Sequence, residues 1–418
     1  MKALILLVLV SFLIAAAAEC PFSHGNDGGN GGANAPPKED NPPKHDNSPG
    51  YSAPANNNTA PPPPASGTPP VSPTTPKPPA ASPGASPALA PASSPALTPA
   101  ASPALAPELA PALAPSLNKT NTGSLSPDYY AKICPNLESL VQGAVRGMMA
   151  SSPIAAAATL RLFFHDCFIT GCDASLLIQN PNNDDEQHSS ENMFLRADGY
   201  KTIAAAKAAV DADPQCANKV SCADIMALAA RDAVVLSGGP TWKVELGRYD
   251  ALGARASDVD LPLTTEDVPA LMKRFSAHSL TVADLVALSG GHTLGATSCV
   301  FVNPRIYPTA DAFLDPGFAG QLQGICPSNL NPNTFVFFDQ SVTSFDNNYF
   351  LMVQQKKGVL FSDSALYFDS SSKGIVDKFA ADQNAFFTQF VSSMVTLGRL
   401  GLKTAANGEI RATCTKPN

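Results

Sequence analysis

Proline limits this chain more than any other residue. It fixes its own φ, lacks a backbone donor and pushes the preceding residue out of the helical region. Across residues 54–116 it recurs every second to fourth position, as in "SPGASPALAPASSPALTPAASPALAPELAPALAPSL". Helices and sheet ladders do not tolerate that spacing, whereas polyproline II with a solvated backbone does. At roughly 3.1 Å per residue, some sixty such residues reach on the order of 180 Å. Upstream, residues 24–50 open with "HGNDGGNGGANAPP" and have no periodic apolar face, so no packed core is expected there either. Most of the forty prolines in 418 residues crowd the first third, and folding has to happen in what remains.

Ahead of this tract, Met1 and Lys2 lead into "ALILLVLVSFLIAAAA". A short apolar run that ends in small residues is a secretory signal peptide, here over residues 1–18. It is too short for a membrane anchor, and no second long apolar run follows, so no membrane partner is expected. Residues 19–123 are then a disordered extension. Their Ala-Pro, Ser-Pro and Thr-Pro repeats resemble the arabinogalactan-type modules of plant cell-wall glycoproteins. That resemblance implies hydroxylated, glycosylated prolines and contact with wall polysaccharide or glycoprotein. Sequons at Asn57 and Asn118 fall in or beside the tract.

Residues 124–418 read as one mostly α domain. Eight of nine cysteines lie there (Cys134, Cys167, Cys172, Cys216, Cys222, Cys299, Cys326, Cys414), and Cys20 stands alone at the signal boundary. An even set in a secreted chain implies four disulfides, each worth about 2–5 kcal/mol. Spacing alone leaves about 105 pairings open. The formal charge of −8 argues against nucleic acid as a partner. "LESLVQGAVRGMMA" has helical spacing, and Ser152-Pro153 reads as an N-cap and first-turn proline for "IAAAATLRLFFHDCF". "CADIMALAARDAVVLSGG" and "TVADLVALSGG" are helices ended by glycine pairs, with His292 just beyond the second. "FDNNYFLMVQQKKG" and "IVDKFAADQNAFFTQFVSSMVTLG" complete the helical set, and "WKVELGRYD" is the best strand.

The stretch "LRLFFHDCF" puts Arg161 and His165 one helical turn apart on one face, with Phe164 beside them. Together with "GCDASLL", "SCADI", "GGPTW", "DLVALSGGHTLG" and "FDNNYF", in that order, it resembles the secretory plant haem peroxidases of class III. The resemblance covers some seven tenths of the chain. It implies a haem-peroxidase fold of two helical halves enclosing one non-covalent haem b, with four disulfides and two calcium ions. The absence of CxxCH agrees with haem held without a thioether link.

Under that resemblance, His165 is the general base and then acid for hydrogen peroxide, and Arg161 is a permanent cation that stabilises the separating oxygen. The Arg161 charge also lowers the His165 pKa. Phe164 screens the iron from bulky molecules. His292 becomes the axial iron ligand, with Asp363 of "LFSDSALY" accepting from its other nitrogen. Asn192, six residues after Glu186 in "EQHSSEN", orients His165, although His188 and Glu191 intrude between them.

A distal calcium takes oxygens from Asp166, Ile169, Gly171, Asp173 and Ser175, with Glu186 behind them. A proximal one takes Thr293, Asp339 and Asp346. A further oxygen comes from Ser341 or, in a loop shorter than the family's usual one, from Val342, Thr343 or Ser344. Pro262 matches the proline at the aromatic-donor entrance, although Leu263 and Thr264 depart from the common text. The implied bridges are Cys134–Cys216, Cys167–Cys172, Cys222–Cys414 and Cys299–Cys326, and Asp224 pairs with Arg248. The expected activity is one-electron oxidation of phenolic donors by a monomeric donor:hydrogen-peroxide oxidoreductase that removes peroxide in the cell wall. The few residues after Cys414 leave little room for a vacuolar extension. The alternative is a wall-anchored structural glycoprotein with a weak or inactive haem domain.

Overall fold

The computed structural model describes residues 125–418 apart from Leu330. The signal peptide over 1–18, the extension over 19–123, Cys20 and both sequons lie outside the described residues.

Helix α1 (Leu137–Ser151) buries Leu137, Val141 and Val145, one residue per turn along a single stripe. It packs on α3 (Ala197–Asp211) and α4 (Cys222–Leu236), and α2 (Ala155–Ile169) packs on the same two. Helix α4 is buried through its first thirteen residues, which is why it reads as apolar all round rather than striped. A second group holds α5 (Val268–Ala277), α6 (Val282–Ser289), α9 (Asn348–Gln354), α10 (Phe361–Phe368), α11 (Ser370–Ala381) and α12 (Gln383–Leu397). Contacts of α12 with α2 join the groups.

A satellite core lies under α7 (Cys299–Ile306) and α8 (Pro316–Ile325), with Val302, Ile306, Leu322 and Val336 at its centre. Strands β1 (Ala296–Ser298) and β2 (Phe335–Phe337) pair antiparallel above it, Ala296 opposite Phe337. Four disulfides join Cys134–Cys216, Cys167–Cys172, Cys222–Cys414 and Cys299–Cys326. Arg248 Nη1 donates to Asp224 Oδ1 at 2.8 Å inside the first group.

Several local readings change. Ser152 closes α1 instead of opening α2, and its hydroxyl donates to Asp198 Oδ1 at 2.8 Å. Gly290 does not stop α6 by a left-handed turn, since its φ is −61° and the chain tightens into a 3-10 turn over Gly290–Thr293. Glycine is needed there for space, because a Cβ would lie 2.5 Å from the Phe386 ring and 2.7 Å from that of Phe350. The last long helix is two, broken at Asp382, whose side chain caps α12. "WKVELGRYD" forms only isolated bridges, Leu246 with Ser126, Tyr249 with Lys403 and Asp250 with Glu409.

Candidate active site

Arg161 and His165 leave α2 one turn apart, and Arg161 Nε donates to His165 Nε2 at 3.1 Å. On the other side of the ring, His165 Nδ1 lies 2.6 Å from Asn192 Oδ1. Asn192 Nδ2 donates to the Glu186 carbonyl at 2.7 Å, which sets the amide orientation and leaves Oδ1 as the acceptor. A guanidinium only donates, so one tautomer satisfies both contacts: proton on Nδ1, lone pair on Nε2. Burial foremost, then the Arg161 and His292 charges, pull the His165 pKa down to about 3 against the raising effect of Asn192. Burial also lowers Arg161 to about 10. At neutral pH the pair is therefore a neutral base beside a cation.

The residues that intrude in "EQHSSEN" find partners locally. His188 Nδ1 sits 2.7 Å from Asp185 Oδ1, and Ser190 Oγ donates to Glu191 at 2.8 Å. Both contacts close on short spans of chain, so Asn192 still reaches His165.

His292 stands in the 3-10 turn, which packs against both α2 and α9. Its Nδ1 is 2.9 Å from Asp363 Oδ1, and the Phe338 ring stacks on it at 4.3 Å with 4° between planes. Asp363 is held in turn by the Tyr349 hydroxyl at 2.8 Å on Oδ1 and by Leu360 N–H at 2.9 Å on Oδ2. The ring is thus fixed at one nitrogen and across one face. The side chain is still 38% accessible, and Arg161 is accessible too although protein crowds its guanidinium. The His292 turn packs against the helix that carries Arg161 and His165, and His292 is near enough to act electrostatically on His165. Phe164 stacks on Phe168 at 5.2 Å and meets His165 edge-on at 6.2 Å. Pro262 is half-buried in the loop before α5, next to exposed Leu263.

After α2 the chain folds into a tight acidic loop. The Asp166 carboxylate accepts from Ala174 N–H and Leu176 N–H at 3.0 and 3.2 Å. Asp173 accepts from Ser175 N–H at 3.0 Å and pairs with Lys403 at 3.1 Å. Gly171, at φ +117°, passes so near Gly401 that a Cβ would lie 2.4 Å from its Cα. Burial and the charges of Asp173 and Glu186 raise Asp166 well above the carboxylate range. Glu186 is fully buried with neither carboxylate oxygen in a well-formed hydrogen bond, and burial pushes it up to about 8.

The second loop gathers Thr293, Ser341 and two aspartates. Thr293 Oγ1 donates to Asp339 at 2.7 Å and lies 3.3 Å from Asp346. Ser341 Oγ bridges the same two carboxylates at 2.9 and 3.0 Å. Ser341 alone among the four alternatives makes that bridge. Val342 takes φ +29° to turn the loop, a region that β-branched residues avoid. Among the described residues no three His, Cys, Asp or Glu side chains converge as a metal site by themselves, so a cation in either loop would lean on hydroxyls and carbonyls as well.

Three contributors were not legible as such. Tyr349 lies inside "FDNNYF", but its partner Asp363 lies on the next helix. Phe338 precedes the recognised Asp339 and gave no separate signal. Lys403 is distant from Asp173 in sequence.

Comparison with known proteins agrees with this geometry. The family model described as Peroxidase matches residues 141–382. The chain is 43% identical to Peroxidase 51 and 42% identical to Peroxidase 50 of Arabidopsis thaliana, over 70% of this chain and 92% of each relative. Peroxidase 73 of the same plant is 43% identical over 71% of this chain and 92% of its own length.

Proposed function

Since the chain belongs to the peroxidase family and is an enzyme of peroxide-dependent oxidation, we propose that Arg161, His165 and Asn192 handle its protons, that His292 backed by Asp363 holds its haem, and that small phenols are its donors. The family implies haem, and the residues fit it. His292 has one nitrogen engaged and its ring stacked on Phe338, while among the described residues its other nitrogen makes no hydrogen bond and the side chain stays 38% accessible. Haem bound there supplies a redox-active iron that takes up the two oxidising equivalents of peroxide and passes them on singly.

The chain's own part is proton transfer and positioning. His165 Nε2 accepts a proton from one peroxide oxygen and returns it to the other as the O–O bond breaks. Arg161, at hydrogen-bond distance from that nitrogen, stabilises the negative charge that develops on the departing oxygen. Asn192 keeps the proton on Nδ1 and so the lone pair on Nε2, beside Arg161. Asp363, held by Tyr349 and Leu360, raises the donor strength of His292. Each turnover yields two waters while two donors each lose one electron and one proton. The observation that carries this reading is the pair of hydrogen bonds on opposite sides of His165, which leaves its lone pair at Nε2.

Calcium in the loop of Asp166, Asp173, Ser175 and Glu186, with the Ile169 and Gly171 carbonyls, would relieve the unpartnered Glu186 carboxylate and the mutual repulsion of the acids. A second calcium suits Thr293, Asp339, Ser341 and Asp346. Four disulfides and the signal-like start support secretion; to this the reading adds a monomer in the cell wall, with the extension over 19–123 as its tether to wall polymers. The intact set of Arg161, His165 and His292 favours this reading over a structural glycoprotein. Guaiacol oxidation with peroxide tests it. His165→Ala should slow the peroxide step by about 10²–10⁴-fold, and a near-normal rate would overturn the assignment.

A further inference from the structure

Close to where the described chain begins, the domain carries an open groove that the proton-handling set does not use. Tyr129, Ile133, Tyr249, Ile410, Lys132 and Lys219 line it, around a volume of about 580 Å³. Tyr129 and Ile133 are 39% and 38% exposed, an aromatic and an aliphatic face with nothing over them among the described residues. The Tyr129 ring is held in place. Tyr130 meets it edge-on at 4.8 Å, with 77° between planes, and the Tyr130 hydroxyl donates to buried Asp224 Oδ2 at 3.0 Å. Gly247, at φ +116°, lets the backbone pass close by, since a Cβ there would lie 2.9 Å from the Tyr129 ring. The groove is thus pre-formed, and an occupant need not order it first.

Two observations say what fits it. The first is where the chain enters. Ser126 is pinned in an antiparallel bridge to Leu246, with N–H to carbonyl distances of 2.9 and 3.1 Å. Tyr129 lies three residues beyond Ser126 and Tyr249 three beyond Leu246, so the proline-rich tract joins the domain at the groove's edge. Residues 116–126 span up to roughly 36–40 Å when extended, enough for the tract to turn back over the groove. A segment on so short a link acts at about millimolar effective concentration, and weak contacts suffice. The second observation is chemical. Residues 103–115, "PALAPELAPALAP", place proline at every fourth position with leucine midway between. That sequence favours polyproline II, which docks in grooves lined by aromatic side chains. Glu108 is the only acid between Asp46 and Asp128, and both lysines of the groove are exposed. Lys219 Nζ donates to the Gln215 carbonyl at 2.8 Å, a neutral partner that leaves its charge available to a carboxylate.

We propose that this groove clasps residues 103–115 of the same chain. Proline rings lie on Tyr129 and Tyr249, leucines turn towards Ile133 and Ile410, and Glu108 pairs with Lys132 or Lys219. The clasp fixes the face from which the rest of the extension leaves the domain. Residues ahead of it remain the tether proposed above, while those in the groove are withheld from wall polymers. The inference stands on the groove and the tract, and does not depend on the peroxidase reading.

Zero-length cross-linking of the full-length secreted protein tests this. A carbodiimide joins a carboxylate directly to a touching amine as an amide and itself leaves as the urea. In a mixture of isotope-labelled and unlabelled chains, mass spectrometry should find Glu108 linked to Lys132 or Lys219 within one chain. Pro107→Gly with Pro111→Gly should lower that yield about fourfold or more by restoring backbone freedom, with guaiacol oxidation unchanged. A segment merely tethered nearby would lose nothing, so an unchanged yield overturns the proposal. Glu108 links spread evenly over other lysines overturn it as well. Links between labelled and unlabelled chains would assign the groove to a second copy instead. A free peptide of residues 103–115, added at about millimolar concentration, should compete the internal link away. Capture of that peptide without any internal link in its absence would assign the groove to an external proline-rich chain and overturn the clasp.

Discussion

Asn192 offers the sharpest perturbation, because it sets the His165 tautomer through one contact. Asn192→Leu keeps the approximate shape and removes the acceptor at 2.6 Å. His165 and Asn192 are 8% and 2% exposed, so no solvent replaces the lost partner and the Nδ1–H is left unpaired. That costs about 1–3 kcal/mol. Asn192 also raises the His165 pKa, so its loss makes the base weaker still. At about 1.4 kcal/mol per decade of rate, the expected outcome is a slowing of the peroxide reaction by roughly 5- to 150-fold. Stopped-flow measurement of the peroxide-induced change in the Soret band, against peroxide concentration and normalised to haem content, reads this directly. Asn192→Asp supplies the control. It restores an acceptor, recovers part of the rate and, by adding negative charge, moves the acid limb of the pH profile upward. A rate for Asn192→Leu within twofold of wild type, at equal haem loading, would refute the role of that contact.

Other outcomes follow from the same geometry. His165 accepts a proton only when Nε2 is free, and its pKa lies near 3 instead of 6.5. The peroxide rate should therefore stay flat from neutral pH down to about pH 4 and fall only below it, and a limb centred on 6.5 would contradict the burial argument. The same depression means the unfolded chain binds more protons between those values, so His165 withdraws stability as pH falls from 6.5 towards 3, readable in urea midpoints. Val342→Gly should stabilise the domain by about 0.5–1 kcal/mol, since glycine removes the cost of φ +29° while adding some unfolded-state entropy. A lower urea midpoint would count against strain in that loop. Chelation should release calcium countable by metal analysis and lower Tm by about 5 °C or more, as expected for losing a ligand held near 100 Kd, whereas an unchanged Tm would argue against calcium in these loops.

The sequence disclosed most where one physical rule acted alone. Val141 and Val145 mark a stripe that only α1 could bury, and the Arg161–His165 interval reports a shared helical face directly. Rules that compete were harder to read. The apolar period in "KFAADQNAFF" runs on through Asp382, so the break appears only once that side chain caps α12. Ser152 has the chemistry of an N-cap, but Asp198, brought close by α3, claims its hydroxyl. β1 and β2 are three residues each, too short to show alternation, and their pairing depends on the satellite core beneath. In the site, residues defined by local spacing were readable, whereas Tyr349 and Lys403 act across gaps that only packing closes.

The Cys222–Cys414 bridge spans 192 positions and ends four residues before Asn418. During synthesis at about 5–20 residues per second, Cys222 must wait some tens of seconds for its mate, whereas Cys216 finds Cys134 already made upstream. Any chain terminated early therefore keeps an unpaired thiol on its most buried helix. A chain cut anywhere before Cys414 thus lacks this bridge, and alkylation of the Cys222 thiol would count such chains.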